Sequence, residues 1–172
     1  MPHQLLMTTI AGPQSSRAQT HDWLTPPHIL QALGSFDLDP CAYPGWHTAE
    51  RMICLPADGL AARWEGRVFL NPPYSREAPK WISRMAVHQS GIALLFARTD
   101  TAWFVRDVWL AARAVLFLKG RVFFHRADGS KATDNGGAPS VLVAYSEFDA
   151  DWLERCTLPG TFARSWSTRM KP

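Results

Sequence analysis

The chain is poor in several features that define whole classes of protein. No apolar run approaches the ~20 residues that cross a bilayer, so no membrane span is read. Met1 to Met7 lack a basic stretch leading into a long apolar segment, so no signal peptide is read either. Cysteine is scarce. Cys41, Cys54 and Cys156 are an odd number without paired spacing, which suits a reducing cytoplasm. A zinc site built from Cys41, His47 and Cys54 wants a fourth ligand and has no C-x-x-C pair, so no metal is expected. Repeats, low-complexity tracts and internal linkers are also missing.

What remains is a globular chain. Its 172 residues fit one domain, and 47% hydrophobic with 19% charged residues allow a sizeable core. Eight Trp are many for this length, and several must lie in the core or on a binding face. The net charge of +3 is unevenly spread. Residues 1–60 hold two basic and five acidic side chains, residues 61–131 twelve and five, and residues 132–172 four and five. A basic middle attracts polyphosphate backbones, although a solvated basic face with no partner has the same composition.

Residues 1–21 read as a polar arm, 22–158 as one domain and 159–172 as an irregular tail. Thr25 is placed to cap a helix that opens with Pro26-Pro27 and ends at Gly34. Phe36-Asp37-Leu38-Asp39 alternates as a short strand, and residues 43–57 read as a loop. Residues 67–70 form a strand, 76–89 a helix, 92–96 a strand, and a further helix is capped by Thr99 or Asp100. Residues 114–118 and 141–145 are strands, and 148–156 a terminal helix. Continuous apolar runs between helices predict a mostly parallel sheet covered on both faces. The stretch from Leu116 to Phe124 looks like an antiparallel hairpin at one side.

The most informative residues are Asn71-Pro72-Pro73-Tyr74, directly after the apolar Val68-Phe69-Leu70. Asn71 carries a side-chain carbonyl that accepts a hydrogen bond. Pro72 has no N–H, but its carbonyl also accepts. The prolines hold the turn rigid, and Tyr74 supplies a flat face for stacking. Two acceptors beside an aromatic face make a cup for a planar amino group, as methylation of an exocyclic amine or an amide nitrogen requires. A plain Pro-Pro turn is the alternative for the tripeptide alone. In open α/β sheets, ligands sit beyond the carboxyl ends of the strands. Asp37 and Asp39 with Pro40-Cys41-Ala42, then Asp58-Gly59, then Asn71 to Tyr74 all fall at such ends. The carboxylates suit an amino-acid moiety, a ribose hydroxyl or an adenine amino group, as S-adenosylmethionine presents. Taken alone, Asp37 and Asp39 each read as turn carboxylates capping a loop, and their value comes from the ordering.

The order of these motifs resembles a known family. Asp22-Trp23 with Thr25-Pro26, Phe36 to Ala42, Asp58-Gly59-Leu60 with Trp64, and Phe69 to Ser75 come first. Arg98-Thr99-Asp100-Thr101 with Trp103-Phe104, Gly120-Arg121 and the strand from Val141 follow. This is similar to phage-type DNA N6-adenine methyltransferases, the Dam-like group, over roughly residues 22–146. The resemblance implies a Rossmann-like α/β fold that uses S-adenosylmethionine to methylate a flipped-out adenine in double-stranded DNA, in the cytoplasm. It implies that Asn71, Pro72, Pro73 and Tyr74 are catalytic. It places Thr25 and Pro26 at the methionine end of the cofactor, Asp37, Asp39, Pro40, Cys41 and Ala42 in the first cofactor motif, and Asp58 and Asn71 beside them. Tyr74, Ser75, Arg98, Thr99, Asp100, Trp103, Arg121, Arg126 and Lys131 become candidate DNA contacts. Trp103 or Phe104 is also a candidate to abut the flipped base, while His125 reads as a strand-end histidine.

The chain departs from the wider methyltransferase pattern in two ways. Ala42-Tyr43-Pro44-Gly45 stands where a glycine-rich loop is expected, and about thirty residues separate Asp39 from Asn71. That is too few for two full strand-helix units, so a trimmed sheet is expected. Only residues 43–57 and 126–139 are long enough to read a target, which leaves monomer and homodimer both open. An RNA amine or a protein glutamine as acceptor, and a nucleic-acid-binding module without catalysis, are the other classes the residues allow.

Overall fold

Strong apolar runs make strong strands, and here they line up in the middle of a single sheet. The computed structural model describes residues 23–133 and 137–168, so the arm read over residues 1–21 lies outside the described residues. The strands are β1 (Leu38–Asp39), β2 (Arg51–Met52), β3 (Val68–Leu70), β4 (Gly91–Phe96), β5 (Ala114–Leu118), β6 (Ser140–Ala144) and β7 (Gly160–Ala163). They pair in the order β2-β1-β3-β4-β6-β5-β7. The helices are α1 (Pro27–Leu33), α2 (Ala78–His88), α3 (Ala102–Phe104), which continues as a π-helical turn over Val105–Trp109, and α4 (Glu147–Arg155).

Side chains alternate across the sheet as the pleat demands. Val68, Leu70, Ala93, Leu95, Val141 and Val143 join one buried cluster with Ile82 and Met85 of α2 and Phe104 of α3. Phe69, Ile92, Leu94, Leu142 and Ala144 point the other way, into a cluster with Ile29 and Leu33 of α1 and Leu153 of α4. Both faces are therefore covered, as the continuous apolar runs predict. A buried ion pair ties α4 to the strand entrances: Arg67 Nε donates to Asp149 Oδ1 at 2.7 Å, and Gly91 N donates to Asp149 Oδ2 at 2.7 Å.

The sheet corrects the expected strand directions. β2, β1, β3 and β4 are parallel, but β4–β6, β6–β5 and β5–β7 are antiparallel, so the sheet is mixed rather than mostly parallel. An apolar run reports burial on both faces and carries no information about direction. The antiparallel half comes from β6 inserting between β4 and β5, not from a hairpin over Leu116–Phe124. Residues Gly160–Ala163, read as irregular tail, pair with β5 as an edge strand. The loop read over 43–57 contains β2, whose two residues are exposed and half-buried and so lack an apolar signature. Pro26, not Thr25, is the N-cap of α1.

This topology positions the site. The four parallel strands end on one edge of the sheet, and β5 points the same way because it and β4 both run antiparallel to β6. Residues following Asp39, Met52, Leu70, Phe96 and Leu118 therefore gather on that edge.

Candidate active site

A cavity of about 480 Å³ opens at that edge, beyond the carboxyl ends of β1, β2 and β3. Asn71 to Tyr74 form one wall, and Asp39 to Ala42 and Asp58 another. Thr25, Tyr43, Trp46, Ile53 and Leu55 add polar, aromatic and aliphatic surface. The lining thus joins two carboxylates to flat and apolar walls.

The Asn71 amide is held in one orientation. Its Nδ2 donates to the main-chain carbonyl of Trp23 at 2.7 Å and to Thr25 Oγ1 at 3.2 Å. A main-chain carbonyl only accepts, so the nitrogen must face Trp23 and Oδ1 must face away. Oδ1 is met by the Tyr74 hydroxyl, which donates to it at 3.0 Å and lies 3.4 Å from the Leu94 carbonyl. The Tyr74 ring stacks on Phe96 at 3.9 Å and meets Phe124 edge-on at 6.0 Å. The Asn71 carbonyl accepts from Cys41 Sγ at 3.2 Å, which links the turns after β1 and β3. The Pro72 carbonyl accepts no hydrogen bond among the described residues.

Asp39 is the buried carboxylate of the cavity. It is 3% exposed, and its oxygens accept from Cys41 N at 3.0 Å and Thr48 Oγ1 at 2.5 Å. Burial pushes its pKa up to about 6 against these bonds, which pull it down. Burial and the adjacent Asp39 charge raise the Cys41 thiol well above its ordinary value. Burial likewise raises the Tyr74 phenol, so both stay protonated at neutral pH. Asp58 is exposed on the rim, and its Oδ1 accepts from Leu60 N at 2.9 Å and Ala61 N at 3.3 Å. Gly59 brings this turn against the strand-end loop: a Cβ there would sit 1.7 Å from the Pro40 carbonyl oxygen.

Most of the residues singled out from the sequence meet here, and some do not. Thr25, Asp39, Pro40, Cys41, Ala42, Asp58 and the Asn71–Tyr74 turn share the cavity. Asp37 does not: it is exposed at the entrance of β1, where its carboxylate accepts from Arg67 N at 2.6 Å. Of the alternating acid pair, only the one at the carboxyl end of β1 can reach the site. Pro26 is also outside the lining; its carbonyl accepts from Ile29 N at 3.0 Å as the start of α1. Ser75, Arg98 and Trp103 line a second, smaller cavity that shares Pro72 and Tyr74 with the first. Thr99 and Asp100 sit in the exposed turn before α3. Arg121, Arg126 and Lys131 are exposed on the loop after β5, where Arg126 Nη2 donates to Thr133 Oγ1 and Lys131 lies over the Phe123 ring at 5.3 Å. His125 bridges that loop to Leu24, each N–H donating to the other's carbonyl at 2.9 Å.

Sequence reading overlooked Thr48, Trp46 and the Trp23 carbonyl. Trp46 Nε1 donates to the Thr25 carbonyl at 3.0 Å, so both indole and amide converge on one segment. These residues lie in irregular chain with no periodicity to expose them, and a main-chain carbonyl leaves no mark on a sequence. Among the described residues, no group of three or more His, Cys, Asp or Glu is placed to hold a metal ion. None of their helices is long and apolar enough to cross a membrane.

A mixed α/β sheet with a strand-end Asn-Pro-Pro-Tyr turn and a carboxylate-bearing cavity is consistent with a methyltransferase-like fold. The DNA N-6-adenine-methyltransferase (Dam) family matches residues 13–165, and the chain belongs to that family. No curated protein and no solved structure gives a significant match.

Proposed function

We propose that this protein transfers a methyl group from S-adenosylmethionine to the N6 amino group of an adenine flipped out of double-stranded DNA. The observation that carries this reading is the Asn71 amide. It is locked with Oδ1 directed away from Trp23 and stands beside a Pro72 carbonyl that accepts no hydrogen bond among the described residues, in a cavity that also holds Asp39 and Asp58. On this reading the parallel half of the sheet is a trimmed Rossmann-like cofactor platform.

The lining fits the cofactor's chemistry. The Asp39 and Asp58 carboxylates suit a cationic, hydroxyl-bearing ligand, and Trp46, Tyr43, Ile53 and Leu55 suit its planar base. When bound, S-adenosylmethionine supplies an electrophilic methyl group on a sulfonium. The chain's own part is to prepare the acceptor. An adenine amino group is a poor nucleophile because its lone pair is delocalised into the ring. Asn71 Oδ1 and the Pro72 carbonyl accept its two N–H groups and draw the nitrogen toward tetrahedral geometry. Acceptors fixed before reaction stabilise the positive charge that develops on that nitrogen. The rigid Pro-Pro turn fixes the two acceptors relative to each other and so would fix the position of the amino nitrogen. With the cofactor bound, an N–C bond would form as the C–S bond breaks with its electron pair left on sulfur, and the amino nitrogen would lose one proton to solvent. On this reading the Tyr74 hydroxyl gives up Oδ1 to the entering adenine N–H. Base flipping is required because the amino group is out of reach inside a duplex.

The test is nucleoside mass spectrometry of unmethylated duplex DNA incubated with the protein and methyl-labelled S-adenosylmethionine. Labelled N6-methyladenine from the intact chain and none from Asn71→Ala is the expected result. No labelled adenine from the intact chain, with cofactor binding measured separately, overturns the assignment and moves the acceptor to RNA or protein amides.

A further inference from the structure

The second cavity is about 240 Å³ and shares Pro72 and Tyr74 with the first. Ile82, Leu95 and Pro79 give it an apolar lining, and Trp103 and Phe96 add aromatic surface. Its rim carries Arg76 and Arg98, both exposed. Neither guanidinium forms an ion pair among the described residues. The nearby Glu77 carboxylate is already taken by Lys80 at 2.5 Å. A volume below the ~300–1,000 Å³ typical of drug-sized ligands suits a single ring system. Flat apolar walls favour stacking of a planar base, and two unpaired guanidiniums at the mouth favour a phosphate. This combination is the chemistry of one nucleotide.

We infer that this cavity holds the nucleotide next to the target adenine on the same DNA strand, with its base against Trp103 and its phosphate between Arg76 and Arg98. The inference rests on the reading of the first cavity as the methyl-transfer site. Because the two cavities share Pro72 and Tyr74, their occupants are close enough to be neighbours in one strand. The site would fix the strand while the adenine is out of the stack, and would bias which base can stand beside it. Arg76, Arg98 and Trp103 are positioning residues in this scheme, since none of them lines the first cavity.

The test uses the full chain and a fluorescent single-stranded DNA of mixed sequence containing 5-iodouracil, so that neither base flipping nor turnover is required. Binding is followed against salt, and photo-cross-links are mapped by mass spectrometry. The Arg76→Ala/Arg98→Ala variant should lower the slope of log affinity on log salt by about 0.7 for each phosphate that is no longer neutralised. Trp103→Ala should weaken binding about tenfold or more with the slope unchanged, and Trp103→Phe should restore most of it. Cross-links should fall on Trp103. A double-arginine variant with an unchanged slope, cross-links confined to other segments, or no single-strand binding by the intact chain overturns the inference. If Trp103→Ala does not fold, the exposed arginines and the cross-links still decide it. Methyl transfer and S-adenosylmethionine binding by the intact chain are assayed in parallel, so failure of the first-cavity reading is told apart from failure of the second cavity.

Discussion

Tyr74 donates its hydroxyl to Asn71 Oδ1, 3.0 Å away, while its ring lies flat on Phe96. On the proposed reading, a neutral donor thus occupies the acceptor that an amino N–H of the substrate would use. Exchange of one donor for another leaves Oδ1 satisfied throughout, which keeps the cost of entry low. Removing the hydroxyl with Tyr74→Phe should retain the fold and alter kcat by less than about tenfold, with no rise in KM for DNA. Tyr74→Ala, which also removes the aromatic face, should cost more than the Phe variant. Steady-state kinetics of the two variants check this; a Phe variant as inert as Asn71→Ala would instead give the hydroxyl a part in the chemistry.

Asn71 does two separable jobs, accepting through Oδ1 and donating through Nδ2. Asn71→Ala should lower kcat by about 100-fold or more, the usual scale for losing a preorganised partner of developing charge. Asn71→Asp keeps an acceptor but turns an oxygen toward the Trp23 carbonyl, where Nδ2 now donates. It should be less stable than the parent by about 1–3 kcal/mol yet more active than Asn71→Ala. Thermal denaturation alongside single-turnover methylation separates the two effects.

Asp39 makes the protein's pH response legible. Its carboxyl is held at about 6 in the fold against an ordinary 3.8. Between those values the folded chain keeps a proton that the unfolded chain has lost, so this group's contribution to stability falls as pH rises through about 6. Cofactor affinity should run the other way, because a cationic ligand favours the ionised form. Titration calorimetry should show S-adenosylmethionine binding weaken as pH is lowered through about 6, with Asp39→Asn weak and flat across the same range.

Gly59 holds the Asp58 turn against the loop after β1, with no room for a methyl group beside the Pro40 carbonyl. Gly59→Ala should destabilise the chain by about 1–3 kcal/mol and weaken cofactor binding more than DNA binding. Equal loss of both affinities would indicate a global defect.

The Asp149 carboxylate is fully buried and faces Arg67 at 2.7 Å at the opposite edge of the sheet. Asp149→Ala should cost about 3–5 kcal/mol, because it leaves the largely buried Arg67 charge without its carboxylate and Gly91 N without its acceptor. Methylation by the folded fraction should be unchanged, as measured by activity per mole of protein that refolds on cooling.

Legibility in the sequence followed the physics of each signal. The run Val68-Phe69-Leu70 announces a strand buried on both faces, and Asn71-Pro72-Pro73-Tyr74 must follow its end, so the place of this turn at the strand-end cavity could be read from the sequence alone. Direction left no such trace: the residues of β6 are as apolar as those of β4, yet the strand runs the opposite way. The alternation Asp37-Leu38-Asp39 marks two acids without saying which sits at the carboxyl end, and register gave that end to Asp39. Edge strands such as β7 owe their form to pairing with β5 and have little apolar character of their own.

The Trp23 carbonyl has a consequence for inheritance. Every amino acid carries that group, so no replacement of the residue 23 side chain deletes the bond that sets the polarity of the Asn71 amide. The orientation of that amide is thereby insulated from point mutation at its anchor. Its weakness is mechanical: whatever pulls the Trp23–Thr25 strap off the sheet edge frees the amide to turn over.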